Sequence, residues 1–229
     1  MSALDKFKRV SVLVGVPTRG LWKDAFGMAF TGMMVHFMRH GLGYGREELH
    51  PASMKGSILP NQRLDLVKMA RARKSTHILF LDDDQTFPKD LPQRLIKHDV
   101  DFVACNIATK QIPSQPTARY FSETRPYTGA LVYNDPKKGL EKVWRVGTGV
   151  ALIKTSVFDK TGLNVWANKW IEELEKYQGE DWSLAEALEA HGIPLHIDHA
   201  VSEEVKHIGD FAFDHNVVGE FPQEKLANG

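Results

Sequence analysis

The strongest constraint on what this chain can fold into is a continuous hydrophobic run at 76–81, THILFL, that stops abruptly at Asp82, Asp83 and Asp84. Such a short run reads as a strand buried on both faces. In open α/β sheets ligands bind beyond the carboxyl ends of the strands, and the aspartates stand at such an end. A lone Asp after a strand is commonly a turn former or a helix cap. Three in succession are different, because carboxylates ~4 Å apart repel by up to roughly 4 kcal/mol at an effective dielectric of about 20. A divalent cation or shifted pKa values relieve that cost. Along an extended chain Asp82 and Asp84 face one way and Asp83 the other, with the outer pair about 6.6 Å apart. A hard cation, Mg²⁺ or Mn²⁺, takes one or two carboxylates and completes its shell with water and phosphate oxygens. The residues alone leave two readings, a metal-diphosphate site and a structural turn.

Elsewhere the pattern alternates. RVSVLVGVP at 9–17 predicts a first buried strand, and Trp22, Ala25, Phe26, Ala29, Phe30, Met33 and Met34 predict a helix over 21–39 with a broad apolar face. Gly41, Gly43 and Gly45 end that helix, and 41–57 reads as a loop. NQRLDLVKMARAR at 61–73 predicts a helix with Asn61 as N-cap, Leu64, Val67 and Ala70 inward and the charged residues outward. Pro88 opens a short helix over 89–98, and DFVACN at 101–106 supplies a third strand. From 117 to 153, segments such as GALVY and KVWRV separated by turn residues predict short antiparallel or mixed strands. DWSLAEALEA at 181–190 is a helix bounded by Gly192, 194–201 is strand-like, and a polar tail runs over 210–229. The expected fold is a single α/β domain whose central, mainly parallel mixed sheet is flanked by helices.

Twenty-nine Lys plus Arg balance twenty-nine Asp plus Glu, with pI near 7.2, so no global field draws the chain to nucleic acid or an anionic membrane. A nucleic-acid partner is therefore disfavoured. A single cysteine, Cys105, excludes an internal disulfide, and MSALDKFKRV lacks an apolar signal core, so a cytoplasmic setting is expected. No apolar run nears the ~20 residues that cross a bilayer, so no membrane span is expected.

With these residues in view, the chain resembles the nucleotide-sugar-dependent glycosyltransferases of the GT-A fold, in particular those like family 2, whose mark is Asp-any-Asp after a buried strand. VLVGVPTRG is similar to that fold's first strand and loop, Arg63 in NQRLDLV to its nucleotide-side arginine, and FLDDDQTFP to its metal motif. VGTGVALIK at 146–154 resembles the acceptor-side segment, GEDWSLAEAL at 179–188 the Glu-Asp-aromatic motif, and KHIG at 206–209 the late metal-binding histidine. The resemblance spans roughly residues 9–209, with 9–106 as the nucleotide-binding half and 107–209 as the acceptor and catalytic half.

The resemblance implies that Pro17, Thr18 and Arg19 line a nucleotide pocket and that Arg63 lies near the nucleotide or diphosphate. It also implies that Asp82 binds on the nucleoside side, that Asp84 and His207 hold Mn²⁺ or Mg²⁺, and that Asp83 supports the site or touches the donor sugar. Read without the family, Arg63 sits on a solvated helix face. Asp181 is implied as the base, with Glu180 as substitute if the register differs by one. Acids at a helix N-terminus have a rival role in meeting the macrodipole, which would depress their pKa values. Trp182 is either a core anchor or a platform for a sugar ring, and core is preferred. The spacing of HIDH at 196–199 argues against zinc, although His199 is the alternative metal ligand. Gly147 and Gly149 suit a turn or bulge, or the approach of an acceptor.

The implied reaction moves a sugar from a nucleoside diphosphate sugar to an acceptor hydroxyl. The metal and Arg63 stabilise the departing diphosphate and Asp181 takes the acceptor proton. The loops 41–57 and 110–126 are the candidates for choosing the acceptor. The competing readings are a nucleotidyltransferase acting on a sugar phosphate and a noncatalytic nucleotide- or glycan-binding module.

Overall fold

The computed structural model describes residues 9–43, 46–209 and 212–215, and all statements below concern these. Strand β1 (Arg9–Thr18) is apolar on both sides: Leu13 enters one core, while Val10, Val12, Val14 and Val16 enter another. The same division runs through β3 (His77–Leu81), where Ile78 and Phe80 face the first core and Leu79 and Leu81 the second. Continuous hydrophobic runs are therefore what a sheet covered on both faces requires.

Around β1 the chain lays down α1 (Asp24–His40), β2 (Arg46–Lys55), α2 (Leu59–Ala72), the two-residue β4 (Gln85–Thr86), α3 (Leu91–Ile96) and β5 (Phe102–Ala104). Two short strands follow, β6 (Arg119–Tyr120) and β7 (Ala130–Leu131), and then β8 (Leu140–Val143), β9 (Val150–Lys154) and α4 (Val157–Thr161). The remainder comprises the hairpin β10 (Lys169–Ile171) and β11 (Lys176–Gln178), α5 (Glu180–Ala190), β12 (Leu195–Asp198), α6 (His199–Ser202), β13 (Lys206–Ile208) and β14 (Ala212–Phe213). The central sheet has seven strands in the order β2-β1-β3-β9-β5-β12-β8. Five run the same way, and β9 and β8 are reversed. Residues of α2, α4 and α5 pack with one face, and residues of α1, α3 and α6 with the other.

Several sequence expectations need correction. Residues 46–55, read as part of a loop, form the edge strand β2, paired in parallel with β1 from Arg9↔Arg46 to Thr18↔Lys55. REELHPASMK lacks a continuous apolar run because the strand is little covered, with Leu49 alone of its ten residues buried, and Pro51 is tolerated at an edge where a donor can be spared. Helix α2 starts at Leu59 with Pro60 in its first turn, so Asn61 is not the N-cap. Its charged residues do not all face out, because Arg63 is only 1% exposed. The strand read over 194–201 stops at Asp198, whose side chain accepts a hydrogen bond from the Val201 amide (2.8 Å) and caps α6. Of the polar tail, Ala212 and Phe213 pair with β13, and 210–211 and 216–229 lie outside the described residues.

Strand β13 also pairs with β4, directly behind the aspartates, with His207 opposite Gln85. The Ile208 amide donates to the Asp84 carbonyl at 2.7 Å. This small sheet brings a histidine from the end of the chain to the carboxyl end of β3.

Candidate functional site

At the carboxyl ends of β1 and β3 lies a cleft of about 470 Å³ lined by Pro17, Thr18, Arg19, all three aspartates, Lys110 and His207, among others. Thr18 is its hinge point: its hydroxyl donates to Asp83 Oδ2 (2.6 Å) and accepts the Gly20 amide (2.9 Å). Gln62 donates to the Thr18 carbonyl at 2.7 Å. Asp83 is thereby held by the first loop. Arg19 is exposed and makes no hydrogen bond or ion pair among the described residues.

Asp84 is held from the other side. One oxygen takes the Lys110 ammonium, and the other lies 3.4 Å from His207 Nε2. His207 Nδ1 donates to the Ala108 carbonyl at 2.9 Å. Burial raises the Asp84 pKa, but hydrogen bonds from His207 and Lys110 outweigh it and leave the carboxyl below its ordinary value.

Arg63 runs beneath this cleft rather than into it. Its Nη2 donates to Asp82 Oδ1 (3.2 Å) and its Nε to Glu180 Oε1 (3.1 Å). The rings of Phe80 and Trp166 lie 5.3 and 5.8 Å from its guanidinium carbon. Burial opposes the charge, yet the carboxylates of Asp82, Asp181 and Glu180 raise its pKa. Desolvation conversely raises Asp82, more than Arg63 lowers it. Arg63, which the resemblance puts near the nucleotide or diphosphate, is bonded here to two of the protein's own acids, one of which lines the cleft.

Glu180 and Asp181 open α5, as acids at a helix start should. Burial reverses the pKa expected for Asp181: chiefly desolvation, assisted by Glu180, pushes it up to about 6 against the pull of Arg63 and the Thr148 hydroxyl. Thr148 donates to Asp181 Oδ1. Glu180 is committed to Arg63, while Asp181 has no such ion pair among the described residues.

A Cβ on Gly149 would stand 2.9 Å from Asp82 Oδ2, so its missing side chain admits that carboxylate. Trp182 is not in the core; it borders a second cavity of about 660 Å³, edge-to-face with Trp144 at 5.3 Å. His199 does not meet the aspartates: wholly buried, it bonds Glu141 Oε2 (2.8 Å) and Asn134 Oδ1 (2.9 Å). No group of three or more His, Cys, Asp and Glu is arranged to hold a metal among the described residues. Of the loops expected to choose an acceptor, 41–57 is largely β2, whereas 110–126 contributes Gln115, Arg119 and Arg125 to the larger cavity. Sequence reasoning did not single out Lys110 or Thr148. Neither carries a local signal beyond lying in a segment already marked.

The mostly parallel seven-stranded sheet with helices on both faces is that of a Rossmann-like α/β domain, consistent with the GT-A fold. Among solved structures the chain is similar to A197 from STIV, with TM-score 0.63 and 14% identity over 94% of this chain and 100% of that one. It is also similar to the catalytic domain of Drosophila β1,4-galactosyltransferase 7 in complex with xylobiose, with TM-score 0.51 and 12% identity over 95% of this chain and 78% of that one. No family model and no curated protein sequence matches the chain. These likenesses establish a glycosyltransferase-like fold. No helix among the described residues is long and apolar enough to cross a membrane.

Proposed function

We propose that this chain transfers a sugar from a nucleoside diphosphate sugar to an acceptor hydroxyl. The observation that carries the reading is the convergence of Asp84, His207 and Lys110 in one cleft at the carboxyl end of β3, joined through buried Arg63 to the acid pair that opens α5. Nothing in a structural turn requires that arrangement.

Mn²⁺ or Mg²⁺ fits the donor set. His207 is anchored through Nδ1 on the Ala108 carbonyl, which leaves Nε2, 3.4 Å from Asp84 Oδ1, as the ring nitrogen that faces the carboxylate and could share a cation with it. Asp84 and His207 would hold the ion, which would offset the charge developing on the departing diphosphate. Lys110 supplies a protein cation at the same carboxylate. Pro17, Thr18 and Arg19 present the first loop to the nucleotide, with Arg19 free to reach phosphate as a planar fork. Asp82 faces the same cleft for the nucleoside, and Asp83 braces Thr18. Arg63 fixes Asp82 and Glu180 from beneath, acting on the reaction through them.

Asp181 is the proton acceptor. Thr148 occupies its Oδ1, leaving Oδ2 for the acceptor hydroxyl, and a pKa of about 6 suits a base working near neutrality. The test is product analysis with a panel of nucleotide sugars and candidate acceptors in the presence of Mn²⁺. Release of a nucleoside diphosphate together with a glycosylated acceptor is the expected result. Pyrophosphate would instead mark a nucleotidyltransferase, and donor binding with no turnover would mark a binding module.

A further inference from the structure

The cavity of about 660 Å³ beside Trp182 shares no lining residue with the cleft at the aspartates, and its chemistry is lopsided. It lies between the β6–β7 and β10–β11 hairpins, tied where Gln178 Nε2 donates to the Tyr127 carbonyl at 3.2 Å. Gly179 and Trp182, on either side of Glu180 and Asp181 in the chain, both line it, so its inner end adjoins the acid pair. Arg119, Arg125 and Lys176 line it and no acid does, although the chain as a whole is neutral. Glu173 accepts the Tyr127 hydroxyl without lining the cavity.

Arg119 carries most of the weight. Its Nη1 donates only to the backbone carbonyls of Pro116 and Ala118, and it has no ion pair among the described residues. Burial pulls it down to about 10, with only Tyr133 opposing. A half-buried guanidinium without a counter-charge costs folding free energy unless it answers to something outside the chain. Lys176, exposed and without an ion pair among the described residues, adds a second cation on the opposite hairpin. The rings of Tyr127, Tyr177 and Trp182 supply faces of the kind that cover a sugar ring, and Tyr177 is 70% exposed.

We propose that this cavity binds the acceptor and selects a saccharide bearing an anionic group, with Arg119 and Lys176 meeting the charge and the aromatic rings covering the sugar. The word acceptor rests on the transferase reading; the anionic saccharide site does not. Calorimetry without donor or metal therefore separates the two. The probes are methyl β-glucuronide, methyl β-glucoside 6-phosphate and the neutral methyl β-glucoside, with inorganic phosphate as a fourth arm. At least one charged glycoside is expected to bind tenfold or more tightly than the neutral one, and the carboxylate and phosphate arms tell which anion is preferred.

Lys176→Gln, at an exposed position that leaves folding intact, is expected to reduce that preference about threefold. Arg119→Gln is expected to abolish it, while Arg119→Lys retains part of it. Tyr177→Ala is expected to weaken charged and neutral glycosides alike. Absence of binding, equal affinity for the neutral sugar, inorganic phosphate binding as tightly as the phosphorylated sugar, or a charge preference unaffected by both substitutions would each overturn the proposal. If these binding results hold while no sugar is transferred, the transferase reading fails and the site stands.

Discussion

Asp181 and Glu180 are neighbours with opposite fates, and the difference lies in what each carboxylate meets. Glu180 closes an ion pair with Arg63, whereas Asp181 takes a hydroxyl hydrogen bond and is left desolvated with a pKa of about 6. That value exceeds the ordinary 3.8, so folding favours the protonated form. The associated stability is fully present below the ordinary value and is lost as pH rises through about 6. Asp181→Asn is therefore expected not to lower the melting temperature at pH 7, while cutting transfer by about 10²–10⁴-fold with donor affinity retained. Paired thermal and kinetic measurements check this, and unchanged transfer would remove Asp181 from its role. In the unmodified protein kcat/KM should climb with pH through about 6 as the carboxylate ionises.

At the scale of elements, strands that look unimportant position the site. β13 is three residues long, yet its pairing with β4 and the bond from the Ile208 amide to the Asp84 carbonyl set His207 beside Asp84. Ile208→Pro removes that donor and is expected to weaken Mn²⁺ binding about tenfold, in the range for losing support behind a metal ligand. The cost in global stability should stay near 1 kcal/mol, because β13 lies outside the seven-stranded sheet. Titration with Mn²⁺ alone reads the first effect, and denaturant unfolding the second. The same scale shows why β1 and β3 were legible in advance and β2 was not. Strands covered on both faces must be apolar throughout, whereas the edge strand β2 leaves nine of its ten side chains at least partly exposed and needs no continuous apolar run.

Across the whole molecule two clefts flank one buried polar centre. Asp82 borders the smaller, Gly179 and Trp182 border the larger, and Arg63 joins the acids between them. A donor that binds only the folded state at about 100 times its dissociation constant, with Mn²⁺, should stabilise the domain by about 2.7 kcal/mol. In a thermal-shift experiment that gain should disappear in Asp84→Asn and survive in Asp181→Asn. Loss in both variants would contradict the assignment of separate donor and acceptor roles.

The amino-acid sequence by itself determined the alternation of strands and helices, the acidic end of β3 and the acid pair opening α5. These are read from periodicity and from abrupt changes of polarity, both of which are local. Only the tertiary structure decided what the charged residues face. Arg63 reads as solvated from its own helix, but its partners Asp82 and Glu180 are 19 and 117 residues away. Lys110 and Thr148 likewise meet Asp84 and Asp181 across 26 and 33 residues. A charge's environment is the sum of everything within a few ångströms of it, and chain folding, unlike periodicity, assembles that neighbourhood from residues with no local relation.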